Sequence, residues 1–148
     1  MTASTSYSEE FAAVATLLVN GWGSGSPLIA YTPILWPGKN TPEPKDAQGN
    51  KTAHIRFFIM NGTAEQVSIG GATNIHRHPN ILNVKVFTPQ NQGELPARDL
   101  ADKFCAIFRN LTSENIRFNT PYCVVMGNTE DGYYQINCFC PFERDSFL

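Results

Sequence analysis

Apolar and polar residues along this chain change period several times, and each change marks an element. Ser6 and Ser8 precede Glu9 and Glu10, and Ser6 with Glu9 has capping-box spacing. Phe11, Val14, Ala15 and Leu18 then recur at helical spacing, so an amphipathic helix is predicted over 8–19, with Asn20-Gly21 as its stop. Glycine and serine crowd positions 21–26, and Pro33, Pro37, Pro42 and Pro44 follow, which blocks helix interiors and central strands. The apolar stretch 28–36 can pack on a neighbour, and 38–52 reads as a long exposed loop.

Beyond the loop the period shortens. Ala53 to Met60 reads as a strand, Asn61-Gly62 as a tight hairpin turn and Thr63 to Ile69 as the returning strand, ended by Gly70-Gly71. His76 to Asn80 reads as a connector and Ile81 to Phe87 as a strand. Leu100, Phe104, Ile107, Phe108 and Leu111 form one stripe, which predicts a second helix from Leu95 to Leu111. Two short strands are expected at Asn115–Phe118 and Cys123–Met126. Asp131-Gly132 then turns the chain into a closing strand, in which Tyr134, Ile136, Cys138 and Cys140 alternate with Tyr133, Gln135, Asn137 and Phe139. Pro141 lacks an N–H and is expected to end it. The predicted fold class is α+β, a mostly antiparallel sheet with two helices packed on one face, in a single domain over 1–148.

Composition supports a real core and narrows the partners. The chain has 148 residues, 42% of them apolar, with ten phenylalanines and two tryptophans, and a chain of this size buries about 70% of its unfolded surface. The formal net charge is −2, and Lys and Arg are scattered, unlike the basic stripe of a nucleic-acid groove. No apolar run approaches the roughly 20 residues that cross a bilayer, and the first ten residues have none of the positive charge of a signal peptide. No membrane partner and synthesis in a cytosol are therefore expected.

Catalytic chemistry is not indicated. No phosphate-binding loop, dinucleotide fingerprint or nucleophile elbow is present, so no catalytic residue and no cofactor are assigned. Cys105, Cys123, Cys138 and Cys140 include no CxxC; with His54, His76 and His78 they lack metal-site spacing, so no metal is expected and the thiols read as core. Arg56, Arg77, Lys85 and Arg117 fall in or beside strands and are read as solvated faces or as cross-subunit ion pairs, Arg77 between two histidines being the best candidate for the latter. Trp36 between prolines is a core lid or an interface anchor, and of Tyr133 and Tyr134 one should face solvent or a partner. The candidate interface is thus Trp36, Arg56, Gly70, Gly71, His76, Arg77 and Tyr133.

Ordered along the chain, several segments resemble a phage tail-terminator family. They are Thr32-Pro33 with Trp36-Pro37, Gln66 to Gly71, His76-Arg77-His78, Val84 to Pro89, Ala106 to Arg109, Ile116 to Phe118, Gly132 to Asn137 and Pro141-Phe142-Glu143. The glycine-serine run and the 38–52 loop depart from the pattern. The resemblance implies a structural virion protein of the tail or neck, assembled in the host bacterial cytoplasm. It implies a homo-oligomeric ring, expected to be a hexamer, at the head-proximal end of the tail tube. That ring would stop tube polymerisation and join the tail to the head connector, with the tail tube protein and the connector or stopper protein as partners. DNA would pass through its lumen without specific binding. A head–tail adaptor, a stopper or a tail-tube-like subunit is the alternative, ahead of a small enzyme or metal-binding module.

Overall fold

Two strands of fifteen residues, side by side and antiparallel, form the spine of the molecule. The computed structural model describes residues 6–22, 32–40, 42–71, 73–113 and 115–147. The expectations for 23–26 and 28–31 lie outside the described residues. In chain order the elements are α1 (Tyr7–Trp22), β1 (Ile34–Leu35), β2 (His54–Asn61), β3 (Glu65–Gln66), β4 (Ile75–Pro89), α2 (Leu95–Phe108), β5 (Thr112–Ser113), β6 (Ile116–Phe118), β7 (Tyr122–Asn128) and β8 (Tyr133–Phe147). They build one eight-stranded sheet in the order β1-β2-β4-β8-β6-β5, with β3 also on β4 and β7 also on β8. Among the described residues only β1 with β2 is a parallel pair. The α+β class with a mostly antiparallel sheet is therefore observed.

The long strands correct the shorter ones expected. Asn61-Gly62 is not a hairpin turn: β2 and β3 run in one direction along β4, with Asn61 opposite Asn80 and Glu65 opposite Arg77. One extra residue on the β2–β3 side makes this a bulge. The hairpin lies further on, at Gly70 and Gly71, whose φ values of 102° and 109° suit glycine alone. His76 to Asn80 is not a connector but part of β4. Pro141 does not end β8, which continues to Phe147.

Both prolines sit where a neighbouring strand is interrupted. In a strand a residue's N and C=O point to the same side. The Pro79 carbonyl accepts from Gly62 N–H at 2.8 Å, so its missing donor faces the bulge. The Pro141 carbonyl accepts from Asn119 N–H at 2.8 Å, so its missing donor faces the gap between β6 and β7. Neither costs a ladder bond.

The helices form as their periodicity predicts and end for different reasons. Ser6 Oγ accepts from Glu9 N–H at 3.2 Å and also contacts the Glu9 carboxylate, the capping box read from sequence. Gly21 does not stop α1. The helix runs to Trp22, and a Cβ on Gly21 would lie 2.7 Å from Ile107 Cγ1, so the glycine permits close approach of α2. α2 ends at Phe108, short of Leu111, with Asn110 left-handed at φ 55°. Val14, Leu18 and Trp22 of α1 and Leu100, Phe104 and Phe108 of α2 join one buried cluster with Ile55, Phe57, Val84, Ile136, Cys138 and Phe142.

One buried polar knot fastens α1 to the sheet. Glu10 accepts from Arg144 Nε at 2.8 Å, from Asn80 Nδ2 at 2.6 Å and from Asn61 Nδ2 at 3.1 Å. The two charged side chains are 3% and 2% exposed. A buried ion pair survives desolvation only when its remaining lone pairs and protons are engaged in this way.

Candidate assembly surface

The feature that most needs an explanation is β7. Tyr122, Cys123, Val124, Val125 and Met126 form an uninterrupted apolar run, most of it inside the strand expected at Cys123–Met126. Among the described residues β7 pairs on one side only, with β8. All five residues are exposed, Met126 to 55%. An edge strand with open backbone groups and apolar side chains is a template for pairing unless charges or prolines blunt it, and this run contains neither. At the opposite end of the sheet, the β3–β4 hairpin carries Ile69, which is 97% exposed.

The candidate residues chosen from sequence do not form one group. Gly70, Gly71, His76 and Arg77 lie at the hairpin end, with His76 half-buried and paired in register with Ser146. Arg77 is satisfied within the chain: Nε bonds Asp145 at 3.0 Å. Arg117 bonds Asp145 at 3.0 Å and Glu143 at 3.1 Å. Burial works to raise the Asp145 pKa, but the hydrogen bonds from Arg77 and Arg117 outweigh it and hold the carboxylate below its ordinary range.

Arg56 and Tyr133 lie toward the other end. Tyr133 is buried, packed against His54 and Phe87 at ring distances of 5.1 and 5.9 Å. Its hydroxyl donates to Glu43, and Lys51 Nζ lies 5.0 Å from its ring centre. Burial foremost, then the Glu43 bond, raises the Tyr133 pKa, while that bond and one from Lys51 lower Glu43. The loop expected at 38–52 thus holds onto β8 through Glu43 and Lys51. Its outer tip is tied by Asp46, which accepts from Gln48 N–H at 2.9 Å and Asn50 N–H at 2.8 Å. Tyr134 is half-buried, its hydroxyl on Glu94.

Arg56 is exposed and opposite Lys85 in the β2–β4 ladder. Among the described residues neither makes an ion pair; they lie over Phe87 and Phe58 at 5.8 and 5.5 Å. Like charges directly opposite are unfavourable in a sheet, so this pair has electrostatic energy to release to an external carboxylate. Exposed carboxylates lie at the β7–β8 turn, in Glu130 and Asp131. Trp36 is half-buried, 5.2 Å from Phe57, and walls a groove of about 370 Å³ with Phe11, Val19 and Pro37. Among the described residues no helix is long and apolar enough to cross a membrane.

Sequence reasoning placed a strand at Cys123–Met126 but missed its exposure, and it missed Ile69. The apolar run was visible, but its exposure depends on β7 having no neighbour on its outer side among the described residues, which no local pattern encodes.

Comparison with known proteins bears on the family and the fold. The family model described as "Phage tail terminator protein" matches residues 14–142. No curated protein matches the chain. One solved structure superposes with a TM-score of 0.65, covering 94% of this chain and 95% of the other at 18% identity, a likeness of fold.

Proposed function

The chain belongs to the phage tail terminator family, a family of structural phage proteins, and from that premise we propose that it is a ring subunit. The ring caps the head-proximal end of the tail tube, stops tube growth and presents a surface to the head connector. The observation that carries this reading is the open apolar edge of β7. A ring needs a heterologous contact that closes by rotation, and an edge strand supplies one by extending a sheet across subunits.

In this reading α1 and α2 cover one face of the sheet and leave the edges and the other face for assembly. β7 of one copy meets the β1–β2 side of the next, which brings the acidic Glu130-Asp131 turn toward Arg56 and Lys85. Arg56 remains an interface residue; Arg77, held by Asp145, serves the subunit itself. Gly70, Gly71, Ile69 and His76, on the projecting hairpin, face the tube or the connector. A net charge of −2, with Arg77 and Arg117 neutralised within the chain, keeps phosphate binding weak and lets DNA pass.

Native mass spectrometry with sedimentation analysis tests the ring. The expected result is a closed oligomer, alone or on tube ends, lost on Val124→Lys and weakened by Arg56→Glu. A Glu130→Lys partner should restore the Arg56→Glu subunit. A Val124→Lys protein that assembles like the parent would refute the edge as the contact.

A further inference from the structure

Three of the four cysteines meet where α2 crosses the β7–β8 hairpin. Cys123 and Cys138 stand directly opposite in the ladder, with their sulfurs 3.1 Å apart. Cys105, on α2, places a third sulfur 3.7 Å from Cys123. Cys123 is exposed, Cys105 half-buried and Cys138 buried. Cys140 shares the face of Cys138, but its sulfur contacts the backbone carbonyls of Asn119 and Pro141. Among the described residues no group of three or more His, Cys, Asp or Glu side chains is arranged to hold a metal ion. Two sulfur contacts that pivot on one exposed thiol are instead the geometry of thiol exchange.

We propose that Cys123 is the reactive thiol of a two-electron redox site that closes a disulfide to Cys138 across β7 and β8. Residues directly opposite in an antiparallel pair have Cα atoms about 4.5–5.5 Å apart, inside the 4.4–6.8 Å range that a disulfide spans. Closure therefore needs little backbone movement. Cys105 is the poorer partner, being further away and on α2, outside the ladder that sets Cys123 opposite Cys138.

The oxidant is a small disulfide. The Cys123 thiolate attacks one of its sulfurs, forms a mixed disulfide and expels one small thiolate, which takes up a proton. Cys138 then loses its proton to solvent and attacks Cys123 Sγ, expelling the second small thiol. Two protein thiols lose two electrons and two protons, and the small disulfide is reduced to two thiols. The electrostatics suit this order. The hydrogen bond between Cys123 and Cys138 foremost, with help from Cys105 and against burial, brings the Cys123 pKa down to about 7. The Cys138 thiol is raised chiefly by that same bond, and the bond is gone once Cys123 carries the small thiol. Cys105 is pushed up to about 12, by burial first, and stays protonated.

The consequence is mechanical. In a reducing cytosol the edge strand is held by its ladder alone; after release into an oxidising medium a covalent staple fixes β7 to β8. The site stands whether or not β7 pairs with another subunit.

The test uses the full chain, reduced and then exposed to glutathione disulfide, with free thiols trapped by alkylation and peptides mapped by mass spectrometry. The expected product has two of its four thiols lost to a Cys123–Cys138 linkage. Cys123→Ser, an exposed position, should keep its remaining thiols free under the same treatment. On the reduced protein, alkylation of Cys123 should rise with pH through a midpoint near 7. A Cys105–Cys123 linkage, a glutathione adduct that persists on Cys123, or four free thiols where the urea-unfolded chain reacts would each overturn the proposal.

Discussion

Glu10 and Arg144 show how a single residue's role changes once the chain is folded. From sequence, Glu10 is a first-turn acid that complements a helix dipole. In the structure it is buried and bonded to Arg144, Asn80 and Asn61, partners too distant in sequence for any local pattern to join. Arg144→Met strands that carboxylate in the core and should cost about 3–5 kcal/mol, read as a lower urea midpoint. The double variant Glu10→Met, Arg144→Met should recover much of the loss. His54 and His78 are held below the ordinary histidine value of 6.5, by burial first. Because their folded pKa values are depressed, the stability they contribute is complete above pH 6.5 and is lost as pH falls through those lowered values. A melting-temperature profile should therefore slope downward below that pH, and His78→Gln should flatten part of the slope. The hydrogen-bonded Asp145 adds a further loss at lower pH, as the pH falls through its depressed pKa.

At the level of elements, the helices were legible and the two long strands only in part. The capping box, the 3.6-residue stripes and the Asp131-Gly132 turn carry their instructions locally, and the structure has them where the pattern puts them. Asn61-Gly62 and Pro141 were misleading for one shared reason. A glycine or proline breaks a strand only if its neighbours on the sheet are continuous, and here each faces a bulge or a gap. Gly62 is glycine because a Cβ would lie 2.7 Å from the Pro79 carbonyl oxygen. Gly62→Val should therefore push β2 from β4 and cost about 1–3 kcal/mol, measured by denaturant unfolding. Hydrogen exchange should speed up locally at β3. Gly70→Ala meets no atom within 4 Å but keeps a φ of 102°, so its cost should come from backbone strain alone, about 1 kcal/mol.

At the scale of the whole molecule, the sheet has a continuous apolar core and an open margin at β7. Its cations at the hairpin end are matched within the chain, its loop closes over Tyr133, and its core is continuous. Among the described residues the β7 edge, Ile69 and the Arg56–Lys85 pair are open features, and a subunit that works by association needs such features. Of the interface residues anticipated from sequence, Tyr133 is covered and Arg77 is ion-paired within the chain, and neither was legible because their partners, Glu43 and Asp145, come from remote segments. Tail-tube protein polymerised with and without this chain, and viewed by electron microscopy, tests the central claim most directly. With the chain present, tubes should stop growing at one end and carry a ring there, and with the Val124→Lys form they should run on. Tubes that lengthen equally in all mixtures, with bare ends, would contradict it.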